Sequence, residues 1–233
     1  MPAYVCPSDG AAVSTNQLER RSSYHGCRGD IVVDTYYFGA EKRGMFQRGP
    51  AGNSGSSTIS IACIRDGLSN TIAFSEAVVR DDSNRDRVKG GAWREPHTGV
   101  GMIPSECLNA RGPGGTLIDP IGTSPHGVGA FWNSGYQWYA IFFTILPPNS
   151  PTCGFTAHYI GASSYHSGGV NGMLGDGSVR FISESIYCGN IGALPVAPLI
   201  PGVTNAADYT GPSIYGVWGA MGTINGSETV SMP

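Results

Sequence analysis

The chain has 233 residues, with 14 Lys and Arg against 17 Asp and Glu, a net charge of −3 and only 13% charged residues. Charge this sparse and balanced excludes nucleic acid and an anionic membrane surface as partners, because both are bound through clustered Lys and Arg. With 35 Gly and 16 Pro the chain must turn often, while 11 Tyr, 8 Phe and 4 Trp supply apolar area for a core.

In chain order, a short helix is predicted over 17–21 and a β-branched, aromatic strand over 30–38. Asp66-Gly67 reads as a turn that delivers the chain into a strand over 71–79. Residues 81–89 hold much of the charge and read as a solvated loop. The longest apolar run, 139–146, falls well short of the roughly 20 residues of a membrane span, and 138–146 is predicted to be a strand. Residues 171–174 lead into a second turn, Asp176-Gly177, and a strand over 178–182. A short helix is expected at 183–187. Residues 189–211, rich in Pro and Gly, read as an extended arm laid over the domain or over a neighbour. A last helix is expected across 213–221.

Six cysteines, Cys6, Cys27, Cys63, Cys107, Cys153 and Cys188, are widely spaced with no CxxC pair. That spacing favours three disulfides, of open connectivity, in an oxidising compartment over a metal cluster. The N-terminus has neither the basic nor the apolar region of a signal peptide.

Five ordered motifs carry a resemblance. His166, nine residues and Asp176-Gly177 resemble the signature of the prepilin-type H-X9-DG family of secreted, pilin-like bacterial proteins. Cys6-Pro7-Ser8-Asp9 is similar to its CPSD segment. Asp66-Gly67-Leu68-Ser69-Asn70-Thr71 with Glu76 is similar to DGxSNTxxxxE, and the stretch from Leu146 to Cys153 to LPPNSPSC. Tyr215 to Thr223, which includes Trp218, resembles the WxALGT ending, with Asn225-Gly226 and Glu228 behind it. The resemblance implies a pilin-like sheet, secretion and a role in assembly. Members of that family begin with a prepilin peptide and a hydrophobic helix. Met1 here stands five residues before Cys6, so the expectation is a fragment, a processed form, or a member that assembles without that helix.

Each motif also has a plain structural reading. His166 and Asp176 alone are too few for zinc, so His166 is expected to bond a carbonyl or carboxylate while Asp176-Gly177 makes a turn. Asp66, and separately Asp81, Asp82 and Asp86, offer oxygens to calcium but lack the EF-hand pattern; they are kept as weak metal candidates. Ser54 and His158 mimic serine-protease segments in the wrong chain order, without a nucleophile elbow, and catalysis is not expected. Arg28-Gly29-Asp30 matches an adhesion tripeptide by three residues only. His25, His97 and His126 lack metal-ligand spacing. Trp93, Trp132, Tyr136 and Trp138 are expected in the core, with a sugar-stacking platform as the alternative. Asn225-Gly226-Ser227 is a glycosylation sequon near the C-terminus.

The sequence thus predicts a mainly β fold, α+β at most, with few short helices, in one domain spanning 1–233 with 189–211 as its arm. Its expected function is that of an extracellular or cell-surface structural subunit that self-assembles into a filament, with itself as partner. The alternative is a monomeric module that binds a glycan or small solute. No enzymatic activity, no cofactor beyond a weak calcium candidacy and no membrane span are expected.

Overall fold

The computed structural model describes residues 2–10, 21–32, 43–46, 59–81, 83–92, 103–120, 127–133, 137–154, 158–204 and 206–228. The fold is mainly β. Among the described residues, seven strands, β1 (Tyr24–Cys27), β2 (Ile72–Glu76), β3 (Ile141–Phe142), β4 (Cys153–Gly154), β5 (His158–Tyr159), β6 (Gly169–Leu174) and β7 (Val179–Ser183), are joined by short helices α1 (Pro104–Leu108), α2 (Gln137–Ala140) and α3 (Gly216–Gly222). A five-stranded sheet runs β3-β1-β2-β6-β7, and β4 and β5 form a separate pair. Only β1 and β3 are parallel within the large sheet.

One face of this sheet is the core. Ile72, Val170, Leu174 and Ile182 pack with Phe142, Trp218 and Met221, so α3 closes this face. Trp218 is fully buried and its indole N–H donates to the Leu146 carbonyl at 2.9 Å, satisfying its one polar atom. Gly222 lets α3 approach closely, because a Cβ there would sit on Thr144 Oγ1.

The pairing of β2 with β6 sets which side chains share a face. Ile72 stands opposite Leu174, but Phe74 stands opposite Met173, so two residues of β2 advance for one of β6. A bulge of this kind turns the following side chains over. Ile72 therefore stays in the core, while Phe74 and Glu76 join Asn171, Met173 and Val179 on the opposite face.

The apolar segment 138–146 differs from its expected single strand: Gln137–Ala140 is helical and only Ile141–Phe142 is strand. The remainder bends after Phe143 and stays buried. Phe143 N–H donates to Ile160, Thr144 N–H donates to Gly29, and the Phe142 carbonyl accepts from Arg28. Ile141, Phe143 and Ile145 belong to one apolar cluster and Phe142 to the other, which explains a run with no polar alternation.

Of the strand expected over 30–38, Ile31 and Val32 are buried and outside any strand, and 33–38 lie outside the described residues. The neighbouring strand is instead Tyr24–Cys27, whose Gly26 has no side chain because the Phe46 ring would occupy the Cβ position. The helix expected at 183–187 is a turn, because Ser183 Oγ accepts from the Ser185 amide and exchanges a hydrogen bond with its hydroxyl. The helix expected at 17–21 falls almost wholly outside the described residues. The arm lies over its own chain: Leu194, Val196 and Tyr209 pack on Ile31 and Ala206, and Tyr215 Oη donates to the Ala193 carbonyl.

The cysteines correct the expectation of three disulfides. Cys107 and Cys153 are bonded, tying α1 to β4, whereas Cys6, Cys27, Cys63 and Cys188 are free thiols. Cys27 and Cys188 stand inside the core as small apolar side chains, which burial alone explains.

Candidate functional site

Four of the five motifs meet at one end of the open sheet face. The turn of the first motif closes with the Asp9 amide donating to the Cys6 carbonyl. Asp9 is buried, and its Oδ2 accepts from Ser23 Oγ at 3.1 Å and from the Val79 amide at 2.8 Å. These bonds clamp the N-terminal segment between the strands and bring Cys6 to Glu76, the last residue of β2.

Glu76 is the hub. Its side chain is only 6% exposed. Oε1 accepts from His166 Nε2 at 3.0 Å and lies 3.8 Å from the donor Cys6 Sγ, while Oε2 accepts from the Asn171 amide at 2.7 Å. The Asn171 side-chain amide adds a longer bond of 3.4 Å to Oε1. Cys6 Sγ, Glu76 Oε1 and His166 Nε2 all lie within 4.8 Å of one another.

His166 owes its position to the LPPNS segment. Asn149, in the left-handed region at φ 63°, accepts from the Ser164 amide through Oδ1 and donates to Glu184 through Nδ2. Ser164 Oγ in turn donates to the Gly169 carbonyl and accepts from the His166 amide. A loop that would otherwise wander is held by side-chain bonds to its own backbone.

Asp176-Gly177 lies at the other end of β6. The nine-residue spacer contains all six residues of β6, which separates the two ends of the signature, so its two halves do not share a site. Asp176 Oδ1 accepts from the Ser178 amide and hydroxyl, which hold its carboxyl below its ordinary pKa, and Gly177 takes the turn at φ 86°.

Asp66 is committed elsewhere. Its Oδ2 accepts from Thr223 Oγ1 and the Gly226 amide, and its Oδ1 from the Ser227 amide, binding the turn before β2 to the segment after α3. Within the same motif Gly67 turns at φ 92°, Asn70 Nδ2 donates to the Asp66 carbonyl, Thr71 Oγ1 reaches the Gly67 and Thr223 carbonyls, and Ser69 is exposed. Asp81 Oδ1 caps its own loop through Ser83 and Asn84; Asp86 is exposed beside Arg87; Asp82 lies outside the described residues.

The other candidates are scattered. Arg28 and Asp30 are buried and Asp30 is ion-paired with Arg43 at 2.7 Å, so the tripeptide is not displayed as an adhesion loop. His25 is buried and donates toward the Ile141 carbonyl. Asn225 is exposed. Ser54, Trp93, His97, His126, Tyr136 and the side chains of Trp138 and His158 lie outside what is described. Trp132, expected in the core, is 39% exposed and stacks on Tyr4 with centroids 5.2 Å apart.

That pair stands on the rim of an apolar groove of about 640 Å³ along the open face. Tyr24, Phe46, Phe74, Ile141 and Met173 line it. Tyr24 and Asn171 link groove and cluster: Tyr24 pairs across the sheet with Glu76, and burial, then the nearby Cys6 and Glu76, push its phenol up. Neither residue belongs to the family signature as read from sequence. The position of Asn171 inside the nine-residue spacer was its only signal.

Fold and site together define a β-sheet protein with a helix-closed core and a thiol, carboxylate and imidazole gathered on its open face. Residues 1–187 match the family described as a protein of unknown function (DUF1559), and the chain belongs to that bacterial family. No curated protein and no solved structure matches it.

Proposed function

We propose that the chain is a structural subunit that self-assembles at the cell surface, and that it acts by assembly rather than catalysis. The observation that carries this reading is the edge strand β7. β7 ends the sheet, and its Val179 and Phe181 are 64% and 55% exposed. Soluble proteins ordinarily blunt such an edge with charge, a bulge or a covering loop. Here Arg180 is the only charged residue in the strand.

Beside this edge lies the apolar groove, so an incoming strand would gain both backbone hydrogen bonds and side-chain burial. The arm at 189–211 is packed on its own chain, which favours strand addition over arm exchange. The resemblance to prepilin-type H-X9-DG proteins and the Cys107–Cys153 disulfide support an extracellular setting.

Electron microscopy and light scattering of the purified chain over rising concentration test the reading. Ordered polymers that disperse to monomers on the double substitution Val179→Lys and Phe181→Lys are expected. A parent chain that stays monomeric at high concentration overturns it.

The Tyr4–Trp132 stack favours a second reading, a glycan-binding module, because flat exposed rings at a groove rim match sugar faces. Glycan-array binding by a monomer, lost on Trp132→Ala, is its expected signature.

A further inference from the structure

We propose that Cys6, Glu76 and His166 form a binding site for a single zinc-class divalent cation. The three side chains come from three separate motifs, 70 and 90 residues apart, yet present one thiol sulfur, one carboxylate oxygen and one imidazole nitrogen to a common point. Thiolate and imidazole select zinc, cobalt or copper over calcium or magnesium, which take oxygen ligands.

The spacing suits tetrahedral coordination. Metal–ligand bonds of about 2.0 Å to nitrogen and oxygen and about 2.3 Å to sulfur, at tetrahedral angles, put nitrogen and oxygen about 3.3 Å apart and sulfur and oxygen about 3.5 Å apart. The corresponding separations here are 3.0 and 3.8 Å. Sulfur and nitrogen, within 4.8 Å, need to close by no more than roughly 1.3 Å to reach the same geometry.

The surroundings are those of a built site. Cys6 and Glu76 are buried, and Glu76 is aimed by the Asn171 amide as an outer-shell donor aims a ligating carboxylate. A cavity of about 10 Å³, lined by Cys6, Glu76, Ser163 and Ser164, lies against the cluster. That is about the space one water molecule needs. His166, 34% exposed, opens the site to solvent on one side and leaves a fourth position for water or an outside ligand. On binding, the Cys6 thiol gives its proton to solvent, and His166 carries its proton on Nδ1 so that the Nε2 lone pair faces the ion.

The test is a cobalt titration of the full chain carrying Cys63→Ser, which removes the exposed thiol, with zinc as competitor. One equivalent of cobalt is expected to give a thiolate-to-metal charge-transfer band that zinc abolishes. Cys6→Ser should remove the band. Because loss of an outer-shell partner costs about 10–100-fold, Cys6→Ser and His166→Ala should each weaken zinc binding by at least about 100-fold. His166→Gln, which keeps a polar amide toward Glu76, serves if the alanine variant does not fold. Absence of the band in the parent, its survival in Cys6→Ser, or equal zinc affinity in the parent and both His166 variants would overturn the site and leave a hydrogen-bonded His–Glu pair only.

Discussion

His166 Nε2 lies 3.0 Å from Glu76 Oε1 although 90 residues separate them in the chain. The bond joins the loop before β6 to the end of β2, and the same carboxylate holds the Asn171 amide. Glu76 is thus shared between two segments that have no other charged link among the described residues.

Glu76→Ala is therefore expected to cost about 3 kcal/mol, because it strands the part-buried Asn171 backbone amide as well as the imidazole. His166→Ala should cost only about 1 kcal/mol, since a ring one-third exposed loses a bond that solvent partly replaces. Urea denaturation of both variants checks the order. Equal losses would show that the carboxylate is not the hub.

His25 makes stability depend on pH. Burial pushes its imidazole down to about 4, against smaller opposing contributions from the Ile141 and Ser22 backbone. The unfolded chain takes up this proton near pH 6.5 and the folded chain only near 4, so stability is fully present above 6.5 and falls as pH drops toward 4. The loss over that window is about 3 kcal/mol. The expected result is a urea midpoint that declines from pH 7 to 4.5 in the parent and declines markedly less in His25→Gln. Parallel declines would exclude His25 as the cause.

Thiol counting separates the four free cysteines from the paired two. In the native protein only Cys63 is exposed, and the Ser60 hydroxyl holds its thiol below its ordinary pKa, whereas burial pushes Cys27 and Cys188 up to about 12. Alkylation should therefore label one thiol rapidly in the native state, four after unfolding without reductant and six after reduction. Three disulfides would give none without reductant. Replacing Cys107 and Cys153 with Ala should destabilise by about 4 kcal/mol, as expected for opening a link across 46 residues.

Local chemistry carried much of the fold. Asp66-Gly67 and Asp176-Gly177 announced their turns because only a few residue types accept the backbone angles required there, and the strands behind them followed. The closing helix, expected at 213–221, lies at Gly216–Gly222. Tyr24–Cys27 was hidden because Gly26 is chosen by the Phe46 ring, a contact made across the fold.

The candidate site divides along the same line. Residue types and their order were legible in the chain: a cysteine near the start, Glu76 after a turn, His166 ten positions before Asp176. Whether these residues meet depends on strand order and on the bulge between Ile72 and Phe74, which turns Glu76 to the open face. Periodicity cannot report a bulge, because a single extra residue changes the face of every side chain after it while leaving local composition untouched. That Cys6, Glu76 and His166 stand together while Asp176 stands apart is therefore set by contacts between segments far apart in the chain.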